Sequence, residues 1–359
     1  MNKFKCEGKL LKQDIRQPFS LSRRGFNLRL FSLFKPNERI HKHYNNLGIK
    51  VDSIDLRQKI WNLRNPNISK IIYIATLPKL KKIVKEFSPD LIHAHYASSY
   101  GILSYLLDFR PSIISVWGSD LYDFPNRNFL NKWILMKVIK SADSICSTSN
   151  AMRKIILSDF KRKECYLTPF GVDIEKFKPI GINQENFTVG TIKSIETHNG
   201  IDVIIEAAKI LVNDMKLTDI QFLIVGRGNL LEEMKEKCKK YNLDKNVKFT
   251  GYIMHEEIVK YFQKLSVFIA VSKRESFGVS ILEAASCGIP AITSNVGGLP
   301  EVNKNLKTGY IIEENNGEKL SEKIIKLYNN DKLRIEMGKK VVVISHNLKV
   351  KKPYLLGHK

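Results

Sequence analysis

Short apolar runs alternate with amphipathic stretches along most of the chain. The runs have the length of buried strands, whereas in the longer stretches apolar residues recur every three or four positions, as on one face of a helix. Strands that alternate with helices favour a parallel, doubly wound α/β sheet. In the first half the predicted strands are 28–33, 51–56, 91–95, 112–116 and 144–147, and the predicted helices are 38–47, 71–87, 98–107 and 131–141.

This alternation is interrupted between residues 166 and 184. The interruption is rich in turn residues and has no clear periodicity, which indicates a connection between domains. We therefore predict two domains, 1–170 and 171–338, and a basic tail at 339–359, with an atypical stretch over the first 27 residues. In the second domain the predicted strands are 188–192, 220–225, 247–250, 267–271, 291–293 and 310–312, and the predicted helices are 202–212 and 230–241.

The composition is that of a globular protein long enough for two domains: 359 residues, 43% hydrophobic and 26% charged. No apolar run approaches the ~18–20 residues of a membrane-spanning helix, and the N-terminus lacks the apolar core of a secretory signal. Five cysteines are scattered without Cys-x-x-Cys spacing, which fits a reducing compartment. These features predict a cytoplasmic protein.

The charge balance narrows the choice of partners. Lys and Arg number 59 and Asp and Glu 36, so the formal net charge is +23. Such a surface favours polyanions, either nucleic acid or a membrane that carries anionic lipids, although a Lys-rich composition without function produces the same number. We expect a peripheral contact with an anionic membrane at its inner face, and no nucleic-acid partner.

The candidate chemistry is concentrated in residues 272–298, where a predicted strand passes through a short polar loop into an apolar helix. The first backbone N–H groups of a helix have no intrahelical acceptor, and together with the helix dipole they attract an anion. We therefore predict an anion site at the start of this helix, formed by Ser276, Phe277, Gly278 and Val279.

Two carboxylates bracket the predicted anion site. Glu275 lies in the loop and Glu283 follows about two turns into the helix, which places the two acids roughly 10 Å apart. An ionised carboxylate accepts hydrogen bonds from both hydroxyls of a vicinal diol, so the pair suits a ligand with sugars on either side of a phosphate. The alternative is an exposed loop acid and a solvated helix acid without a common function.

These residues stand in a longer pattern. A Glu, seven residues and a second Glu are followed by Gly-Ile-Pro at 288–290 and by Gly-Gly-Leu-Pro-Glu at 297–301. The pattern resembles the donor-sugar site of the retaining glycosyltransferases of glycosyltransferase family 4, the group 1 glycosyl transferases. The resemblance implies an α/β fold of GT-B architecture, with two Rossmann-like domains facing across a cleft and the nucleotide-sugar bound by the second.

The resemblance also assigns roles in the second domain. Glu283 would bind ribose hydroxyls and Glu275 hydroxyls of the transferred sugar. Lys193 would hold the diphosphate, while His198 or Asn199 stands where family members carry a second Lys. A neutral histidine is a weaker phosphate partner than Lys. The nucleotide would be contacted by the turn that contains Arg227 and Gly228.

In the first domain the resemblance implies two contacts with the reacting groups. His95 would lie at the cleft, and residues 117–120 (Trp-Gly-Ser-Asp) resemble the family's His-Gly-x-Asp, with Trp117 in the place of His. Asp120 is the candidate for contact with the acceptor, against the alternative of an Asp that caps a turn. The Gly-rich loop of family members is missing before residue 28, and the C-terminal segment from 341 is expected to lack their closing helix.

We predict an enzyme that transfers a sugar from a nucleotide-sugar to an acceptor hydroxyl with retention of configuration. The acceptor would be a glycan or glycolipid in cell-surface polysaccharide or glycolipid synthesis. No Asp-x-Asp occurs in the sequence, so we predict no metal site and no cofactor beyond the donor substrate. The alternatives are a sugar-nucleotide epimerase of the same architecture and a degenerate relative that only binds nucleotide or polyanion.

Overall fold

The computed structural model describes residues 21–56, 73–179, 186–313 and 316–347. These residues form two compact units that divide between Ile145 and Cys146. Some predictions fall on residues outside these ranges. They concern the N-terminal 20 residues, residues 71–72, the end of the predicted interdomain connection and the tail beyond Asn347. The boundary near residue 170 stays a prediction.

The first unit is built from parallel strands. Strands β1 (Arg29–Ser32) and β2 (Lys50–Ser53) pair with each other, and helix α1 (Glu38–Asn46) connects them. Helix α1 begins where the Asn37 side chain accepts a hydrogen bond from the Ile40 N–H, as an N-cap residue does. Helix α2 (Leu77–Phe87) follows and ends at Ser88, which adopts a left-handed conformation.

A second sheet contains strands in the order β3-β4-β5-β6. Helices cover this sheet, so apolar residues of both the strands and the helices are buried between them. Ile114 and Ile145 of the strands and Leu135 of a covering helix are almost wholly buried. Helix α6 was not predicted from the sequence, and the predicted helix over 98–107 begins with a π-helical turn, Tyr96–Tyr100. The elements are β3 (Ile92–His95), α3 (Gly101–Leu107), β4 (Ser112–Val116), α4 (Ser119–Tyr122), α5 (Phe129–Ser141), β5 (Ser144–Ser147), α6 (Asn150–Ser158) and β6 (Tyr166–Leu167).

The second unit contains a six-stranded sheet in the order β12-β11-β10-β7-β8-β9, and every recorded strand pair is parallel. From the central strand the chain first builds outward through β8 and β9, and then returns to β10 on the other side. Ligands bind at the carboxyl edge of open α/β sheets where the strand order reverses in this way. The strands are β7 (Thr188–Ile192), β8 (Gln221–Val225), β9 (Val247–Gly251), β10 (Val267–Ala270), β11 (Ala291–Ser294) and β12 (Gly309–Ile312).

The helices of this unit include α7 (Ile201–Lys209), α8 (Leu231–Lys240), α9 (Ile258–Phe262), α10 (Val279–Ser286), α11 (Leu299–Val302), α12 (Gly317–Tyr328) and α13 (Asp331–Asn347). Helix α13 runs to Asn347, so the start of the segment predicted as a basic tail is helical, and the expected absence of a closing helix stays a prediction. Met337 and Val341 of α13 are buried, and a Cβ on Gly338 would come within 2.3 Å of the Gly288 carbonyl oxygen. No helix among the described residues is long and apolar enough to cross a bilayer.

Candidate functional site

The loops that leave the carboxyl ends of the second unit's strands pack against one another through glycines. A Cβ on Gly226, after β8, would lie 1.8 Å from the Lys193 carbonyl oxygen, after β7. A Cβ on Gly297, after β11, would lie 1.9 Å from the Glu275 carbonyl oxygen, after β10. No larger residue permits this approach, and Gly226 and Gly297 also have positive φ. The backbones that carry Lys193 and Glu275 are therefore held in place by their neighbours.

Lys193 and Glu275 meet at the point where the strand order reverses. The Lys193 ammonium is buried and forms an ion pair with the Glu275 carboxylate. It also donates a hydrogen bond of 2.7 Å to the hydroxyl of Ser272, the second residue after β10. A buried ammonium with two fixed partners is a preorganised cation, and its remaining donor capacity suits an anionic ligand.

Glu283 belongs to a second charged cluster, on helix α10. The Lys176 ammonium lies 2.9 Å from Nδ1 of His255, so Nδ1 accepts and the imidazole carries its proton on Nε2. Nε2 then donates to the Glu283 carboxylate at 3.1 Å. Helix α10 buries Glu283 among apolar neighbours, and the thiol of Cys287 nearby has a pKa raised to about 12, first by burial and then by the charge of Glu283. The carboxylate is thus held in one orientation by His255.

The helix that carries Glu283 begins at the predicted anion site. Gly278 has a φ of 99° and turns the chain from the loop into α10, whose first residue is Val279. The Ser276 N–H already donates to the Glu275 carboxylate at 3.2 Å. The first N–H groups of the helix itself have no intrahelical acceptor. Phe277 is buried and packs edge-on against Phe170, which anchors the loop.

The remaining residues predicted for donor binding occupy the loops after β7 and β8. Arg227 is exposed, with its guanidinium 4.7 Å from the ring centre of Tyr252, a cation–π contact between the loops after β8 and β9. Gly228 has a packing role, because a Cβ there would lie 2.1 Å from the Ile195 carbonyl oxygen. His198 is exposed on a short 3₁₀ turn, and its carbonyl accepts the Lys273 N–H at 2.8 Å.

In the first unit the strand ends carry two histidines whose pKa values lie far below the ordinary 6.5. Burial lowers the pKa of His93 to about 4, while burial and, second, the charge of His93 lower that of His95 to about 3. Their rings lie 4.2 Å apart, and His93 Nε2 is 2.8 Å from the Ser115 hydroxyl. His95 meets the Trp117 ring edge-on at 5.5 Å, and its Nδ1 has no partner among the described residues. His95 is therefore a neutral imidazole with one ring nitrogen uncommitted.

Asp120 is fully buried and serves the backbone of its own turn. Its carboxylate accepts the N–H groups of Ala97 at 2.9 Å, Trp117 at 3.1 Å and Gly118 at 2.8 Å. Burial raises the pKa of Asp120 above its ordinary value, and the three N–H donors oppose that shift. The side chain joins the turns after β3 and β4, which is the turn-capping alternative raised from the sequence. Its contact with the acceptor stays a prediction.

Several site residues have no signal in the sequence spacing. The partners of Glu283 and Lys193 come from distant segments, namely Lys176, His255 and Ser272. Glu301, the last residue of the Gly-Gly-Leu-Pro-Glu turn, accepts the Asn150 and Ala151 N–H groups, each at 2.9 Å, and so caps α6. The turn was recognised as a motif, but the helix that its Glu caps was not.

The fold brings these charged groups together at the edge of the sheet where the strand order reverses, which is where open α/β sheets bind ligands. Two family models match the chain: Glycosyl transferase 4-like over residues 15–149 and Glycosyl transferases group 1 over residues 172–341. The two matches lie one after the other along the chain and together span most of it. The family and the α/β fold class of GT-B architecture, with two Rossmann-like domains, are confirmed.

Individual relatives agree with this family. An uncharacterised glycosyltransferase of Methanocaldococcus jannaschii is 26% identical over 316 residues, which cover 82% of this chain and 86% of that protein. The Escherichia coli UDP-Gal:alpha-D-GlcNAc-diphosphoundecaprenol alpha-1,3-galactosyltransferase is 26% identical over 294 residues, 75% of this chain and 74% of that one. The Anabaena protein HepE, solved in complex with UDP-glucose, is similar in fold, with a TM-score of 0.75 at 18% identity over 95% of this chain and 92% of that chain.

Proposed function

We propose that this glycosyltransferase moves a sugar from a nucleotide-sugar to an acceptor hydroxyl with retention of configuration. The observation that carries the proposal is the pairing of buried Lys193 with Glu275 where the strand order of the second sheet reverses. This edge is where α/β sheets bind nucleotides. The family relationship supports transfer, and the HepE complex with UDP-glucose supports a nucleotide-sugar as donor.

Each charged group has a role in this proposal. Glu283, oriented by His255, accepts the ribose hydroxyls. Lys193 and the first N–H groups of α10, with Lys273 or Arg274 in the loop, stabilise the diphosphate as negative charge develops on its oxygen. Arg227 and Gly228 line the nucleotide side, and His198 lies beside the phosphates. Donors fixed before the reaction are effective because they need no reorganisation in the transition state.

Glu275 is assigned to the transferred sugar. The bond between the anomeric carbon and the diphosphate oxygen breaks as the acceptor oxygen bonds to the same face of that carbon. The nucleoside diphosphate leaves, and the proton of the acceptor hydroxyl passes to the leaving diphosphate oxygen. A carboxylate already in an ion pair with Lys193 is a poor nucleophile, so we assign Glu275 to accept sugar hydroxyls and to stabilise positive charge on the ring. His95 of the first unit is assigned to the acceptor side, and Asp120 holds the turns beside it.

The acceptor is proposed to be a glycan or glycolipid at the cytoplasmic face of a membrane. The Escherichia coli relative is named for an acceptor sugar on diphosphoundecaprenol, a polyprenyl diphosphate. The net charge of +23 favours an anionic lipid surface. We propose that no metal ion takes part, because Lys193 and the helix N–H groups supply the positive potential that an Asp-x-Asp-bound metal would supply.

Thermal unfolding with UDP-, GDP-, ADP- and CMP-sugars, each beside its sugar-free nucleotide, tests the donor assignment. A donor at a hundred times its Kd stabilises the protein by ~2.7 kcal/mol. Transfer from the stabilising donor to a lipid-linked acceptor is then measured with and without EDTA, and an unchanged rate is expected. An EDTA-abolished rate that Mn²⁺ restores would remove the metal-independent mechanism. Conversion of the donor sugar without transfer would indicate an epimerase, and stabilisation without turnover a binding protein.

A further inference from the structure

The N-terminal end of helix α5 places a group of large apolar side chains in solvent. Phe129 is 82% exposed, Leu130 60% and Trp133 49%. A single exposed apolar residue needs no explanation, but three within the first turn and a half of one helix mark a contact surface. At about 100° per residue, Phe129 and Trp133 lie almost one above the other, with Leu130 beside them.

The exposure is not a consequence of a loosely held helix. The opposite face of α5 buries Leu135, Val138 and Ile139 completely. The helix begins at Asn128, whose side chain accepts the Asn131 N–H at 2.8 Å. Because the core side and the N-cap both fix α5, its apolar outer side cannot turn inward to leave water.

The same outer side is basic. Lys132, Lys137 and Lys140 are all exposed, and the Lys137 ammonium lies 5.6 Å from the ring centre of Trp133. Arg127 precedes the helix, and no Asp or Glu occurs from residue 124 to residue 142. Trp, Phe and Leu beside Lys, without acids, is the composition of helices that lie in the interface of anionic bilayers.

We infer that Phe129, Leu130 and Trp133, with Lys132, Lys137 and Lys140, form a membrane-docking face that inserts into a bilayer containing anionic lipids. The aromatic and aliphatic side chains enter the boundary between headgroups and acyl chains, and the lysines remain at the phosphates. The inference deepens the proposed function, on which it rests for the identity of the acceptor: it names the surface that brings the enzyme to a lipid-borne acceptor.

Cosedimentation of the full chain with vesicles tests the membrane-docking face. The vesicles contain either phosphatidylcholine alone or equal parts of phosphatidylcholine and phosphatidylglycerol. We expect the parent to bind the anionic vesicles. The affinity for these vesicles should fall at least about tenfold in Phe129→Ser/Trp133→Ser. In Lys132→Gln/Lys137→Gln it should fall about fivefold for each lysine removed. The matched controls remove the same groups elsewhere: Met215→Ser/Ile335→Ser for apolar exposure and Lys239→Gln/Lys248→Gln for charge. Both controls should bind like the parent.

Fluorescence reports whether the face enters the bilayer. On anionic vesicles the tryptophan emission of the parent should move to shorter wavelength and be quenched by brominated acyl chains, and this change should be absent in Trp133→Phe. Equal vesicle binding by parent and Phe129→Ser/Trp133→Ser would overturn the inference. So would a parent dimer that Phe129→Ser/Trp133→Ser dissociates in sedimentation velocity, or a preference for duplex DNA over the vesicles.

Vesicle binding is measured without donor or acceptor, so it is independent of the proposed function. If no nucleotide-sugar stabilises the protein but the parent still docks through α5, the glycosyl-transfer proposal fails and the membrane-docking face remains. If donors bind and the sedimented fraction is unchanged by the substitutions on α5, the membrane-docking face is refuted and the glycosyl-transfer proposal remains.

Discussion

The strand ends of the two units use polar side chains in opposite ways. At the end of β7 and β10, Lys193 and Glu275 are charged, paired with each other and partly open to a ligand. At the end of β3 and β4, Asp120 is wholly buried and satisfied by three backbone N–H groups, beside two neutral histidines. The same position in the same type of sheet therefore holds an ion pair in one unit and a turn cap in the other.

The hydrogen-bond partners of a charged side chain at a strand end indicate whether it is available to bind a ligand or stabilises the fold. A charged group whose partners are other side chains retains donor or acceptor capacity for a ligand, whereas one whose oxygens are taken by backbone N–H groups mainly stabilises the turn. Substitutions in the second unit should therefore change binding and transfer. Substitution of Asp120 in the first unit should change stability.

The largest effect is expected for Asp120→Ala. Three N–H groups lose their acceptor, and the free energy of unfolding should fall by at least about 3 kcal/mol, because each unsatisfied group costs about 1–3 kcal/mol. Urea unfolding followed by circular dichroism measures the change, with Asp90→Ala, an exposed acid of the same unit, as the control near zero. A stable Asp120→Ala variant with reduced transfer would instead give Asp120 a direct role at the acceptor.

Glu275→Gln should come next, with its main effect on transfer and an additional cost in stability, because the buried Lys193 ammonium loses its counter-ion. Loss of the charge that we propose to face the reacting sugar should lower the transfer rate by about 10²–10³-fold, as for other groups that act in the transition state. The affinity for the bare nucleotide should be almost unchanged. Initial rates beside calorimetry separate the two, and Glu257→Gln provides an exposed acid of the same unit as control. An unchanged rate would make Glu275 only the structural partner of Lys193.

The two histidines of the first unit predict a loss of stability in acid. Their pKa values, about 4 and about 3, lie below the ordinary 6.5, so the unfolded chain takes up protons first as the pH falls. Their contribution is complete above about pH 6.5 and declines below it, by up to ~1.4 kcal/mol per pH unit for each histidine. Between pH 6.5 and 5.5 the parent should lose about 2 kcal/mol more than His93→Asn/His95→Asn, about 1 kcal/mol for each histidine. If the free energy of unfolding changed with pH by the same amount in both proteins, both histidines would have to be exposed to solvent.

Glu283→Gln should weaken the nucleotide and the nucleotide-sugar equally. Replacement of a charged acceptor by a neutral one costs roughly 1–3 kcal/mol of binding energy. Calorimetry with both ligands measures it. Because Glu275→Gln spares the bare nucleotide, the two variants together divide the site into a nucleotide side and a sugar side. Equal behaviour of the two variants would contradict that division.

The smallest effect is expected for His255, which contacts Glu283 and is assigned no direct contact with the ligand in our proposal. His255→Phe keeps a ring against Phe177 but removes the hydrogen bond to Glu283, and should lower nucleotide affinity by about 0.5–1.5 kcal/mol. In Glu283→Gln/His255→Phe the two losses should not add, since both act through the same carboxylate. Additive losses in this double-mutant cycle would mean that His255 acts independently.

Much of this protein was determined by local sequence. Period-two and period-3.6 patterns located most strands and helices, since each element must bury an apolar face of its own. The loop with Glu275 and the helix with Glu283 were found for the same reason, because strand, Gly278 and helix follow one another in the chain. Helix α13 was not predicted from the sequence, although its residues Met337 and Val341 are buried.

The pairing of charged side chains at the candidate site depends on the tertiary structure. Lys193 and Glu275 are 82 residues apart, and His255 and Glu283 28 residues apart. No periodicity connects such positions, because they come together through the strand order of a parallel sheet. The role of Asp120 also depends on the tertiary structure, because the sequence was compatible with either a contact to the acceptor substrate or a turn cap. The N–H of Ala97 from the neighbouring strand end made it a buried cap, since a carboxylate without water must be satisfied by the donors that the fold supplies.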